Sequence, residues 1–186
     1  RYADARIHFN ATSRAAFSKS HEIAEFNRSF GAQVRCVFDG WGVASTTSLE
    51  GKDLTAAALT AVKASKAITL AKPVQLAPVP ALKGKFEAFK EKGELAENTE
   101  TAYLPLAREQ YDLAIAQPHI VDAKASAQRT LEERAFVSSE GSAAWRQVVR
   151  SSHATFVVAS SGSVQREFIH QSGDGDATAN PLGDTK

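Results

Sequence analysis

The stretch Gly31–Thr47, GAQVRCVFDGWGVASTT, limits what this chain can fold into more than any other part of it. Val34 to Phe38 reads as a strand, and Trp41 to Ser45 reads as the returning strand. Asp39-Gly40 between them supplies a two-residue hairpin turn whose glycine can take positive φ. Gly31 and Gly42 flank this unit, so the backbone can turn there, or be approached closely, with no Cβ in the way. After Thr47 the period changes. Leu54, Ala58, Ala61, Ser65 and Ile68 recur at steps of four, three, four and three, one stripe along an Ala-rich helix over 49–71, with Asp53 as its N-cap or first-turn acid and Pro73 as its stop.

Before the hairpin, Ala3, Ala5, Ile7 and Phe9 alternate with Asp4, Arg6, His8 and Asn10, which marks a strand with one buried face. Thr12–Ser20 and Glu22–Ser29 read as two further short strands, with a helical turn as the alternative where alternation weakens, so residues 1–47 form a meander of about five strands. Pro73, Pro78, Pro80, Gly84 and Gly93 among charges give 73–98 the look of an extended connector. A second helix is predicted over 99–116, with Pro105 in its first turn and Leu104, Arg108, Tyr111 and Ile115 near one face. Strands return over 119–170, at 120–128, 134–138, 145–150, 155–159 and 164–170, separated by turn formers at Glu140-Gly141 and Ser160-Ser161-Gly162. Residues 171–186 read as a loop. The order of elements predicts one α+β domain, a largely antiparallel mixed sheet from two strand clusters with two main helices on one side.

Composition excludes more than it assigns. A formal net charge of +1 across 186 residues, with no Lys/Arg stripe, argues against long-range attraction to nucleic acid or anionic membrane. No run approaches the ~18 apolar residues of a membrane span, and no charged-then-apolar leader occurs. The one cysteine, Cys36, lies in a predicted strand and cannot form an internal disulfide, so a core thiol in a cytoplasmic protein is the expectation. The sequence has no methionine, opens on a strand-like pattern and closes on polar turn formers, which is the expectation for part of a longer polypeptide.

Motifs that could carry chemistry fall short. His21-Glu22 opens an HExxH zinc motif, but the second histidine is replaced by Glu25, and His8, His119, His153 and His170 show no ligand spacing. Ser138-Ser139-Glu140-Gly141-Ser142 lacks the flanking glycines of a nucleophile elbow and reads as a hairpin turn, which leaves a hydrolase using Ser139 or His21 without support. Gly173-Asp174-Gly175-Asp176 lacks the remaining oxygen ligands of a calcium loop. The simplest placement pairs Arg35 on a strand face and packs Trp41 under the first helix. No catalytic or metal-binding residue is assigned.

Three patterns in series resemble the N-terminal domain of the TldD/PmbA family. Tyr2-Ala3-Asp4-Ala5-Arg6 is similar to that family's opening strand. Gly31 and Arg35, then Gly40, Trp41, Gly42, Ser45 and Thr46, followed by the Ala-rich helix, are similar to its hallmark hairpin. Ser139-Glu140-Gly141 is similar to its turn before the last strands. The resemblance implies a domain of architecture, dimer contacts and substrate enclosure in a cytoplasmic metallopeptidase that acts on unfolded or extended peptides. The zinc of a TldD-like member is held by a motif in a C-terminal domain, none of which occurs in this sequence. The implied partner is a second TldD- or PmbA-like subunit, with an extended peptide as substrate and neither nucleic acid nor membrane. The alternative is a freestanding, non-catalytic module that binds a peptide or partner through a sheet edge.

Overall fold

The computed structural model describes residues 1–68, 74, 76–77, 79–88, 103–162 and 164–174. Among the described residues, seven strands and two helices follow in the order β1 (Tyr2–Ser18), β2 (Glu22–Val37), β3 (Trp41–Thr46), α1 (Gly51–Ala67), β4 (Lys83–Ala88), α2 (Leu104–Ile115), β5 (Ile120–Ser138), β6 (Ala143–Ser161) and β7 (Val164–Asp174). The sheet order is β3-β2-β1-β5-β6-β4, with β7 also paired to β6. The β2–β3 and β6–β7 pairs are antiparallel. The α+β class expected from the sequence is what the chain adopts.

The strands are fewer and longer than the sequence predicts. The two candidates at 1–10 and 12–20 are one strand of 17 residues, those at 22–29 and 34–38 one of 16, and the four between 120 and 159 merge into two of 19. The joints between them, at Ala11, at Phe30-Gly31-Ala32-Gln33, at Arg129 to Glu133 and at Ser151 to Ala154, contain no proline and no Asp-Gly. Nothing there forces the backbone out of the extended state, and ladder pairing carries it through. The proposed connector also contains a strand, β4, beginning three residues after Pro80 where no proline blocks its donors; the rest of 73–98 lies largely outside the described residues. α1 is shorter than 49–71: Glu50 is its N-cap, and Ile68 turns to extended backbone. α2 begins at Leu104, with Pro105 in its first turn as expected. Residues 171–174 belong to β7 rather than to a loop, and 175–186 lie outside the described residues.

The chain divides into two compact units, taken here by their described residues. The first comprises Arg1–Asn10, Ser29–Glu87 and Glu132–Gln147, the second Ala11–Arg28, Ala88–Leu131 and Val148–Lys186. In the first, α1 lies on the β2–β3 hairpin, packing Ala57 and Ala61 against Val34 and Cys36, with Ala3, Ala5 and Ala44 around them. In the second, Tyr103 and Ala107 pack on Ala15 and Ala127, and Tyr111 of α2 packs on Ala123 and Ala125. Phe17 meets Tyr111 edge to face at 5.1 Å. The buried face of α2 is Ala107, Gln110 and Tyr111, so Leu104 and Ile115 stand at its margin and Arg108 is exposed.

The predicted α1 stripe holds at Ala61 and Ser65, with Ala57 more buried than Ala58. It makes an unusually close contact. A Cβ on Gly42 would lie 1.8 Å from the Ala61 carbonyl oxygen and 2.5 Å from the Ser65 nitrogen, so only glycine fits beneath the helix. The turn ahead of it is not the two-residue, positive-φ turn expected of Asp39-Gly40. Val37 pairs with Trp41, the loop is Phe38-Asp39-Gly40, and Gly40 has no positive φ. The helix supplies what the turn geometry does not. The buried Ser65 hydroxyl donates to the Gly40 carbonyl at 2.6 Å and accepts from the Phe38 N–H at 2.8 Å, and the Gly40 N–H donates to the Ser65 carbonyl at 3.2 Å.

Gly42→Ala is therefore expected to lower the free energy of unfolding by about 2–3 kcal/mol or more, since neither atom it meets is a side chain that can swing away. Gly51→Ala, where an added Cβ meets nothing within 4 Å, should change stability by less than ~1 kcal/mol, on the stabilising side. Urea denaturation of the two variants beside the parent checks the contrast.

Candidate functional site

Period-two geometry decides which side chains of the first unit remain available. Val34, Cys36 and Ala44 point at α1, so Arg35, Trp41 and Val43 project from the opposite face. On β1, Ala3 and Ala5 face α1, and Tyr2, Asp4, Arg6 and His8 face the other way. The Ser139 N–H donates to the Ala3 carbonyl at 2.8 Å, and the Ser139 Oγ accepts from the Ala3 N–H at 3.0 Å. Carried along the antiparallel pair, that register sets Arg6 beside Phe136 and His8 beside Arg134. The Arg6 guanidinium does lie 5.5 Å from the Phe136 ring centre.

Asp4 is the centre of this face. Simple alternation makes it an exposed polar residue, yet it is only 3% exposed, because Arg35 covers it. The Arg35 Nε lies 3.0 Å from both carboxylate oxygens, and its Nη2 is 2.5 Å from Oδ2. Arg6 approaches the same carboxylate at 3.6 Å. Arg35 in turn lies 5.4 Å from the centre of the Trp41 ring. Its hydrogen bonds to Asp4 push the guanidinium pKa up. Trp41 is 39% exposed on this face and does not pack under α1, since Gly42 takes the position beneath the helix. Burial, then the Asp4 carboxylate, raises the Tyr2 phenol above its ordinary value of 10.0. Burial likewise pushes the Cys36 thiol above 9.0, with a smaller contribution from Asp4.

Two depressions occupy this face. One, of about 460 Å³, is lined by Tyr2, Arg35, Trp41, Phe136 and Glu140, with Leu76, Val79 and Leu82 beside them. The other is an open groove of about 1060 Å³ whose lining includes Arg6, His8, Phe30, Gly31, Ser45 and Arg134. Of the positions that resemble the family signature, Arg35, Trp41 and Glu140 thus line the first, and Arg6, Gly31, Ser45 and Thr46 line the second. Gly40 and Gly42 serve the contact with α1. Ser139-Glu140-Gly141 is a turn, with Gly141 at φ +89 and its N–H donating to the Ser138 carbonyl. Arg134 was not singled out from the sequence. It sits in the charge cluster Glu132-Glu133-Arg134, and only pairing with β1 places it next to His8.

His21 and Glu22 belong to the second unit. His21 is exposed and hydrogen-bonds Ser20 at 2.7 Å, and Glu22 holds Arg108 at 2.7 Å. Among the described residues no three His, Cys, Asp or Glu side chains converge in a way that could hold a metal ion, so they do not fit a zinc site. No helix among the described residues is long and apolar enough to cross a membrane.

Replacing Arg35 by Met should lower stability by about 3–5 kcal/mol by leaving a buried carboxylate without its closest cation, with only the longer approach of Arg6, and adding Asp4→Asn should recover part of that loss. Because the Tyr2 and Cys36 pKa values are higher in the fold than in the open chain, the folded state keeps protons that the unfolded chain releases. Stability should therefore decline as pH rises from about 9 upward, where the unfolded thiol and then the phenol ionise, until the folded groups ionise too. The Tyr2→Phe/Cys36→Ala variant should show a shallower alkaline decline in a denaturation series over pH.

Comparison with known proteins bears on this arrangement. Residues 17–65 match the family described as PmbA/TldA metallopeptidase domain 1. No protein with a curated description matches the sequence. Among solved structures, the fold is similar to TldE from Thermococcus kodakarensis, with a TM-score of 0.77 at 17% identity over 98% of this chain and 42% of that one. It is also similar to a proposed modulator of a DNA gyrase from Thermotoga maritima, with a TM-score of 0.76 at 10% identity over 97% of this chain and 41% of that one. A third, from Bacteroides thetaiotaomicron, gives 0.67 at 14% over 96% and 42%. The chain thus spans about two-fifths of the length of these structures. The resemblance to TldD/PmbA proteins is shown by sequence over 17–65 and by fold over most of the chain.

Proposed function

We propose that this chain, with its sequence and fold resemblance to the first domain of TldD/PmbA proteins, is the architectural and substrate-enclosing domain of a cytoplasmic metallopeptidase of that type. In this reading it contributes to a dimer with a TldD- or PmbA-like subunit and helps enclose an unfolded or extended peptide. The zinc and the groups that act on the peptide bond belong to a following domain. Among the residues described here none takes a catalytic role.

The observation that carries the reading is the convergence of Arg6, Gly31, Arg35, Trp41, Ser45 and Glu140 on the face of the first unit opposite α1. These positions are scattered over the sequence, and a purely architectural role would not require them to line open depressions. The match of 17–65 to a metallopeptidase first domain supports it from the side of sequence. A second reading, a freestanding module that binds a peptide or partner without chemistry, is favoured by the same open face.

The test is to isolate the natural polypeptide and measure its intact mass, zinc content and cleavage of unstructured peptides together. A mass well above 19.9 kDa, with stoichiometric zinc and peptide cleavage lost on chelation, is expected for a TldD-like polypeptide. A larger mass without zinc, together with cleavage only after a zinc-bearing subunit is added, would assign the PmbA-like role. A mass near 19.9 kDa with peptide capture and no cleavage would replace the enzyme reading with the binding-module reading.

A further inference from the structure

The groove of about 1060 Å³ has an uneven balance of charge. Its lining includes Arg6, Arg134 and His8 and, among the described residues, contains no Asp or Glu. The carboxylates nearest those cations are already engaged. Asp4 is fully buried and held by both Nε and Nη2 of Arg35, which leaves Arg6 a single approach at 3.6 Å with its side chain 53% exposed. Glu132 is shared by Arg134 at 3.1 Å, Arg146 at 3.8 Å and His8 at 3.9 Å. Four arginines and a histidine thus contact two carboxylates, and two of those arginines, Arg6 and Arg134, face the groove with more than half of each side chain in solvent.

Between the cations the groove is apolar and partly backbone. Phe136, whose ring centre lies 5.5 Å from the Arg6 guanidinium, is half-buried there. The ladder between β2 and β3 starts at the Ala32–Thr46 pair, so Ser29, Phe30 and Gly31 extend past the end of β3. At Gly31 an added Cβ would meet only the Thr46 carbonyl, at 3.4 Å, so a second main chain can approach there. Backbone beyond the end of an edge strand, a half-buried aromatic ring and two guanidiniums suit an extended chain that carries carboxylates.

We infer that this groove binds an acidic segment of an extended peptide, with Arg6 and Arg134 pairing to its carboxylates and Phe136 lying beneath the apolar side chains between them. This rests on the peptide-enclosing role proposed above and names the class of peptide that the enclosure selects.

The experiment uses the full natural polypeptide and two fluorescently labelled, unstructured peptides of equal length and apolar content, one carrying Glu where the other carries Gln. Binding is read by fluorescence anisotropy. The Glu peptide should bind about tenfold tighter at low salt, a preference that shrinks as ionic strength screens the exposed pairs. Arg6→Gln/Arg134→Gln should reduce the Glu peptide to the affinity of the Gln peptide, and Arg6→Lys/Arg134→Lys should restore part of the preference. Unchanged thermal unfolding of these variants excludes loss of fold as the cause. Equal binding of the two peptides, or a preference that survives the double Gln variant, overturns the inference while leaving the peptide-enclosing role standing. Binding of neither peptide overturns both. Displacement by a single-stranded oligonucleotide with no Glu preference would overturn it in favour of a nucleic-acid site.

Discussion

The contact on which the first unit depends is the close approach of α1 to the β2–β3 hairpin at Gly42. With no side chain at that point, the helix backbone comes within a Cβ's reach of the strand. Ser65 is thereby carried into bonding distance of both Phe38 and Gly40. One hydroxyl closes a turn whose own backbone geometry is not the favoured hairpin type. The small side chains on both surfaces, Ala57 and Ala61 against Ala44 and Cys36, are the condition for this approach, because a larger residue would hold the helix away and strand the polar groups of the turn.

That contact has a consequence on the opposite side of the sheet. Once α1 takes one face of the hairpin, alternation sends Arg35, Trp41 and Val43 to the other. A buried carboxylate on the neighbouring strand then needs a cation, and Arg35 is positioned to supply two donors to it. The Asp4–Arg35 pair fastens β1 to β2. An open face with ordered arginines and half-exposed aromatics is what remains, and ordered cations beside aromatic rings on a rigid sheet are better placed for recognition than cations on loops.

Much of the fold was legible in the sequence and some of it was misread for identifiable reasons. The hairpin, the Ala-rich helix, Pro105 in the first turn of α2 and the turn at Ser139-Glu140-Gly141 each announce themselves through local stereochemistry. Strand lengths do not, because an apolar–polar alternation that falters over a few residues looks the same whether the chain turns or stays extended. Ala11 and Ser151-Ser152 read as breaks, yet the ladder runs through them. β4 was hidden by its charges and by the prolines before it. Of the candidate site, Asp4, Arg6, Arg35 and Trp41 stood out through their motifs, whereas Arg134 carried no signal of its own.

The sequence by itself determined the elements whose cause is local: where glycine must sit, where proline may sit, which stripe of a helix is apolar, and that the motifs resemble those of TldD/PmbA proteins. The tertiary structure alone decided that Asp4 is buried rather than solvated, that Trp41 faces away from the helix, and that Arg6 and Arg134 share a groove. Each of these depends on which strand lies beside which, and in what register. Strand pairing joins residues more than a hundred positions apart, so no local periodicity can encode it.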